Sequence, residues 1–277
     1  MVAPIGIFDS GVGGLSIFRE IRRLLPYESL IYVADQAHVP YGTRAKEEVQ
    51  RFSKAIAQFL LAHEAKVIVV ACNTASAVAL SFLRFRFPQV LFVGMEPAVK
   101  PAARETETGK VGVLATRGTF ASERYADLMT RFAQDVTVVQ DPCLGLVDLI
   151  EQGDLAETES LLETIVTPML AADVDTFVLG CTHYPFVIPV LRKVVGTAVS
   201  IIDPAPAIGR QVKRVLEKSA NLSSGLSPVQ LDLYTTGQRV KFERQLQQLL
   251  GYEQAVKTAV WREKNGELFL QIEQVEL

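Results

Sequence analysis

The chain has 277 residues, 49% hydrophobic and 21% charged, which is the composition of a folded globular protein and excludes disordered, collagen-like and low-complexity chains. At roughly 100–200 residues per domain, the length leads to an expectation of about two domains. Lys and Arg number 28 against 31 Asp and Glu, so there is no basic excess of the kind that marks a nucleic-acid binder.

The first residues, MVAPIGIFDSGVGG, lack a basic segment followed by a long apolar one, so no secretory signal peptide is expected. A first strand is predicted at 4–9 (PIGIFD), then the Gly-rich turn DSGVGG (9–14) and a helix through Leu25. The run 30–34 (LIYVA) predicts a second strand, and a polar loop with PYGT (40–43) leads to a long helix near 43–63. A third strand is predicted at 66–71 (KVIVVA), followed by CNT and an Ala-rich helix. Runs 90–93, 110–115 (KVGVLA), 136–139 and 175–180 (DTFVLG) repeat the theme. Continuous β-branched runs indicate strands buried on both faces, and strands spaced by helices indicate βα units and a largely parallel sheet. The fold class is therefore α/β. The pattern changes after Pro204: a helix near 204–218, the loop SANLSSGLSP, VQLDLYTTG, a helix near 239–250 and a run at 256–261. The densest apolar stretch, 67–72, is far shorter than the ~18 residues a membrane span needs, so no membrane association is expected.

Two segments recur in the same order. VIVVACNTAS (67–76) resembles TFVLGCTHYP (176–185), pairing Cys72 with Cys181 at an offset of 109 residues. GIFDSGVGG (6–14) resembles GVLATRGTF (112–120), pairing Ser10 with Thr116 at an offset of 106. A period this long means domain duplication rather than a solenoid. Two similar domains are predicted, each a mostly parallel sheet flanked by helices, the second beginning near residue 98.

The three cysteines, Cys72, Cys143 and Cys181, form neither a disulfide framework nor a CxxC motif. With only His38, His63 and His183 beside them, no metal site is expected. Free thiols fit a reducing, cytoplasmic setting. Cys72 and Cys181 each sit at the C-terminal end of a predicted strand, where open α/β sheets place ligands. Each precedes a polar pair and a predicted helix, whose N-terminus lowers a thiol pKa or holds a carboxylate. Two facing domains can thus present one thiol to each side of a small substrate. Cys143 has no duplicate and lies among apolar residues, so it is expected to be structural.

Other candidates carry two readings each. DSGVGG lacks the full phosphate-binding pattern, and its glycines permit close backbone approach and tight turns. Asp9 is either a helix N-cap or a group that handles a proton or orients a neighbour. PYGT is either a turn before a helix with Thr43 as that helix's N-cap, or a loop from which Tyr41 and Gly42 touch ligand. His183 is either a satisfied buried histidine or an acid, base or charge partner for the adjacent thiol.

Taken together, DSGVGG, PYG, ACNTAS and GCTHYP resemble the cofactor-independent aspartate/glutamate racemase family, and the glutamate enzymes more than the aspartate ones. The resemblance runs nearly end to end. It implies two α/β domains with the active site between them, residues 1–97 plus 207–277 forming the first and 98–206 the second. It implies interconversion of L- and D-glutamate without cofactor or metal, supplying D-glutamate for peptidoglycan synthesis, in a cytoplasmic protein expected to be a homodimer. By resemblance, Cys72 and Cys181 are the acid/base residues, assisted by Asp9 and His183. Glu151 in LIEQGDL matches a family Glu near the second thiol. Asp9, Ser10, Pro40, Tyr41, Gly42, Asn73, Thr74, Thr116, Thr182 and His183 match the substrate-contact motifs. Some members carry an N-terminal extension that binds a cell-wall precursor activator; Asp9 stands nine residues from the start, so neither extension nor activation is expected. Competing readings are a racemase for aspartate or another acidic amino acid, a non-catalytic acidic amino-acid binding protein, and a thiol redox protein.

Overall fold

The structure, a computed structural model, describes residues 3–225 and 228–273. The first run of elements is β1 (Ile5–Asp9), α1 (Leu15–Leu24), β2 (Leu30–Ala34), α2 (Lys46–Ala62), β3 (Val67–Val70), α3 (Asn73–Arg86) and β4 (Phe92–Val93). The second run is α4 (Val99–Glu105), β5 (Lys110–Ala115), α5 (Arg117–Phe120), α6 (Glu123–Phe132), β6 (Thr137–Asp141), α7 (Leu146–Gln152), α8 (Leu155–Ala171), β7 (Thr176–Gly180), α9 (Ile188–Val195) and β8 (Ser200–Ile202). The chain continues with α10 (Ala205–Lys218), β9 (Leu231–Thr235), α11 (Arg239–Leu250), β10 (Val256–Lys264) and β11 (Glu267–Ile272).

Two sheets result. One has the order β11-β10-β9-β2-β1-β3-β4, and the other β6-β5-β7-β8. The central order β2-β1-β3-β4 recurs as β6-β5-β7-β8, so the repeated sequence segments occupy equivalent strands. All pairings are parallel except β10 with β11. β9 extends the first sheet beside β2, in register from Leu30 with Leu231 to Ala34 with Thr235.

The physical basis is local. β1, β2 and β3 are buried along their whole length, as expected of parallel strands covered on both faces. Ile5, Ile7, Val67 and Val69 face a core closed by Leu15, Phe18 and Ile21 of α1, while Phe8, Ile68 and Val70 face one closed by Phe52, Ile56 and Leu60 of α2. On α1 the arginines Arg22 and Arg23 are exposed in the last turn, where cations complement the helix dipole. The second sheet is likewise covered on both faces, by Leu162, Val166 and Leu191 on one side and Tyr125 and Leu128 on the other.

The strand runs predicted from sequence end at 261 and do not include β11. Its signal was present in Asn265-Gly266: both residues have positive φ (53° and 76°), as a tight two-residue hairpin turn requires. Nor do those runs include β8, which is three residues long and only partly buried. Among the described residues no helix is long and apolar enough to cross a membrane.

In each sheet the strand order reverses between the two central strands, β1 and β3 or β5 and β7. Loops leaving such a switch point diverge and open a crevice at the carboxyl ends of the strands. The four segments concerned begin at Ser10, Cys72, Thr116 and Cys181. The two crevices meet: Val39 of the first lobe packs into the β5–β8 lobe, and Phe186 packs back against the first.

Candidate active site

Cys72 ends the β3 segment and caps α3. Its backbone is extended, and its sulfur accepts the Ala75 N–H at 3.4 Å while the thiol points at Ser10 Oγ, 3.9 Å away. From its place in the sequence, at a helix N-terminus, this thiol is expected to have a lowered pKa. Instead, burial and then the nearby Asp9 charge push the Cys72 thiol well above its ordinary value, against the pull of the Ala75 N–H. One N–H does not offset the loss of water around the thiol of a residue that is only 5% exposed.

Cys181 ends the β7 segment and is equally buried, but it leads into a short 3₁₀ turn (Tyr184–Val187) before α9, not directly into an α-helix. Its sulfur lies 3.7 Å from His183 Nδ1, and His183 Nε2 lies 2.9 Å from Glu151 Oε1. Glu151 comes from α7, a helix flanked by Gly145 and Gly153 with positive φ (84° and 77°). Burial disfavours the imidazolium, but the Cys181 sulfur and the Glu151 carboxylate outweigh it and raise the His183 pKa well above its ordinary value. Burial on its own would raise the Glu151 pKa; its hydrogen bond and charge interaction with His183, then the Val12 N–H and Gln245, hold it down to about 2. The chain Glu151–His183–Cys181 is thus an oriented carboxylate, an imidazole that keeps its proton, and a sulfur.

The glycines of DSGVGG make room for this chain. None of Gly11, Gly13 or Gly14 has a positive φ, so turn conformation is not what demands glycine here. A Cβ on Gly11 would stand 2.1 Å from Glu151 Oε1, and one on Gly13 would stand 2.5 Å from His183 Nδ1 and 2.6 Å from Thr182 Oγ1. The turn lets the second lobe's charged pair reach the first lobe, where Val12 N–H donates to Glu151 Oε1 at 2.8 Å. Asp9, fully buried, accepts Gly11 N–H at 3.0 Å and the Thr182 hydroxyl at 3.1 Å. Burial raises its pKa, opposed chiefly by the charge on His183.

Ser10, Pro40, Tyr41, Gly42, Cys72, Asn73, Thr74, Thr116, Cys181, Thr182 and His183 line one cavity, joined by Val147. Asp9 and Glu151 lie behind that lining, reaching it through Thr182 and His183. Both polar atoms of the Asn73 amide are buried without a hydrogen-bond partner among the described residues. Thr74 and Thr116 hydroxyls meet across the lobes at 2.9 Å, and Thr116 caps α5. Tyr41 presents its ring, its hydroxyl being given to Asp35 at 2.6 Å. A Cβ on Gly42 would strike Thr116 at 2.7 Å, another glycine that permits lobe contact. The cavity holds about 10 Å³, room for roughly one water. Two larger hollows, about 1150 Å³ against α2 and β11 and about 700 Å³ near α10, hold neither of these thiols. Among the described residues no three His, Cys, Asp or Glu side chains are grouped to hold a metal ion.

Four residues next to the site were not singled out from sequence. Thr119 hydrogen-bonds Thr116 at 3.1 Å and had a local signal, the N-cap spacing in TRGT. Asp35 holds Tyr41, and Gln36 and Gln245 hold Glu151; these had no signal short of the fold. Cys143 is buried in the second lobe's core outside the cavity of the other two thiols, lining with Tyr184 an adjoining one of about 50 Å³.

The family model for Asp/Glu/hydantoin racemases matches residues 5–212. A glutamate racemase of Pseudomonas paraeruginosa is 51% identical over 256 residues, covering 92% of this chain and 96% of that protein. A solved glutamate racemase isoform of Bacillus anthracis superposes with a TM-score of 0.83 at 35% identity, covering 92% and 96% of the two chains. The Escherichia coli glutamate racemase, solved with L-glutamate and the activator UDP-MurNAc-ala, gives 0.82 at 34% identity over 93% and 98%.

Proposed function

The chain belongs to the Asp/Glu/hydantoin racemase family and is an isomerase, and on that premise we propose that it interconverts L- and D-glutamate by proton transfer between two thiols. The observation that carries this reading is the pair of sulfurs, Cys72 and Cys181, at equivalent strand ends of two repeated sheets, opening on one cavity. Racemisation removes the Cα proton from one face and returns a proton to the other. One thiolate takes the proton and becomes a thiol; the opposite thiol gives its proton and becomes a thiolate. The roles reverse for the other enantiomer, and the pair titrates as one coupled site.

A Cα proton beside a carboxylate is weakly acidic, so donors must meet the charge that grows on that carboxylate. The unpartnered Asn73 amide, the Thr74 and Thr182 hydroxyls and backbone N–H groups of the turns after β1, β3 and β7 are the available set. Ser10, Pro40, Tyr41, Gly42 and Thr116 complete the substrate's surroundings. Asp9 and His183 assist the thiols, and Glu151 positions His183. A cavity with room for about one water is far too small for glutamate, so the lobes part to admit substrate and close to exclude water. Residues 1–97 with 207–277 form one moving body and 98–206 the other, supported by β9 pairing with β2 and by α10 packing on α1. The family further suggests a cytoplasmic homodimer that feeds peptidoglycan synthesis; light scattering of the purified protein tests the dimer.

Cys72→Ser and Cys181→Ser are expected each to lower racemisation by about 10²–10⁴-fold, the usual worth of a general acid or base. The measurement is optical rotation with L- and D-glutamate without added cofactor, alongside Cα deuterium uptake in D₂O. Near-wild-type racemisation by either variant would sink the two-thiol mechanism. A panel of acidic amino acids in which aspartate is turned over faster would overturn the substrate assignment.

A further inference from the structure

The Glu151 carboxylate is held by more than His183. Its Oε2 accepts from Gln245 Nε2 at 3.0 Å and from Gln36 Nε2 at 3.1 Å. Gln245 Nε2 also donates to the Glu151 main-chain carbonyl at 2.7 Å. Gln36 Nε2 donates to Gln245 Oε1 at 2.8 Å, and Gln36 Oε1 accepts the Thr235 hydroxyl at 2.9 Å. Gly237 N–H donates in turn to Thr235 Oγ1 at 3.0 Å.

This network fixes both amides. Each NH₂ spends its two hydrogens and each carbonyl accepts, and turning either amide over would set a carbonyl oxygen against the carboxylate. Gln245 is 6% exposed on α11, so its bonds to Glu151 are shielded from water. The donors are neutral, which suits the site. A lysine or arginine here would compete with the imidazolium for the carboxylate, whereas an amide orients it without drawing it away.

We propose that Gln245 and Gln36 are positioning residues for the Cys181 half of the site. They hold the Glu151 carboxylate so that it fixes the His183 imidazole against the Cys181 sulfur. The proposal deepens the two-thiol reading and rests on it for its kinetic consequences. No counterpart acts on Cys72 among the described residues, its sulfur being met by Ser10 and Ala75 directly. The titratable groups facing Glu151 are His183 after β7, Asp9 at the end of β1 and Tyr32 of β2.

The test uses Gln245→Leu and the isosteric Gln245→Glu in the full chain, with folding checked by circular dichroism. Gln245→Leu is expected to lower kcat about 10-fold with KM little changed, as outer partners of a catalytic group do. The two enantiomers have equal free energies, so kcat/KM must fall equally in both directions. The one-sided role therefore shows in the deuterium isotope effect, which should rise only for the enantiomer whose Cα proton is taken by Cys181. Gln245→Glu sets two carboxylates about 3 Å apart, where one must take up a proton. Its activity should fall as pH rises above the carboxylate range and recover as pH falls, a limb that a packing role would not create.

A readout independent of turnover is the low-field NMR signal of the His183 Nε2 proton, assigned by its loss in His183→Asn. It should be sharp in the wild type and broadened away in Gln245→Leu. A folded Gln245→Leu with wild-type kcat and an intact His183 signal would overturn the proposal. A wild-type protein that does not racemise glutamate would overturn the functional reading instead, and the His183 signal would still decide the positioning role.

Discussion

The two halves of the site start from the same design and end with different chemistry. In both, a cysteine follows a central parallel strand at a switch point. On the Cys72 side an α-helix begins at once, and the sulfur is met by one N–H and a serine hydroxyl, with the charge of the fully buried Asp9 nearby. On the Cys181 side no α-helix starts there; a histidine and a glutamate run back from the sulfur as a linked pair. Burial and Asp9 favour a protonated Cys72, while His183 keeps its proton beside Cys181. The two sulfurs are therefore not interchangeable: one lies near a buried carboxylate, the other beside an imidazole that keeps its proton.

This contrast can be broken experimentally. Loss of either sulfur, in Cys72→Ser or Cys181→Ser, has the largest expected effect. Next comes Gly13→Ala, whose Cβ would meet His183 Nδ1 at 2.5 Å. The expected loss is about 100-fold in kcat, the scale for displacing a catalytic group by an ångström. A fully active Gly13→Ala would show that His183 does not need its place. Glu151→Gln sharpens the contrast through pH. Removing the carboxylate takes away one support of the protonated imidazole, so the alkaline limb of kcat should move to lower pH. For stability the sign is set by the Glu151 pKa of about 2 in the fold against an ordinary 4.5. Its contribution is present above about pH 4.5 and is lost as pH falls toward 2. Glu151→Gln should therefore melt lower than wild type at neutral pH, by roughly 3 kcal/mol of stability, and the gap should narrow in acid. A pH-independent gap would remove the ion pair as its cause. The smallest effect is expected for Cys143→Ala, with racemisation within about twofold of wild type. That thiol has no counterpart in the first lobe and, among the described residues, no hydrogen bond to the Glu151–His183 chain. A loss comparable to Cys181→Ser would contradict the assignment of two thiols rather than three.

Much of this is legible in the sequence. The runs PIGIFD, KVIVVA, KVGVLA and DTFVLG read as buried parallel strands because their apolar residues are continuous, and burial of both faces bears this out. The recurrence of Cys72 at Cys181 pointed to equivalent strand ends, which β3 and β7 occupy. The glycines of DSGVGG read as permitting close approach, but what approaches them was not visible. Glu151 stands out in the sequence only through the family resemblance of LIEQGDL, and its place 2.9 Å from His183 is what gives it a task. β11 was missed although Asn265-Gly266 advertised its turn.

By itself the sequence determined the strand runs, the turn residues and the duplicated cysteines. These depend on neighbours within a few positions, where side-chain period and backbone sterics act directly. Only the tertiary structure decided that the two cysteines share a cavity, that Val12 donates to a glutamate 139 positions away, and that Gln245 reaches it from 94 positions beyond. Such contacts depend on where two lobes and a returning helix meet. No local pattern encodes that meeting, because a glutamine that orients a carboxylate and one that faces water are the same letter.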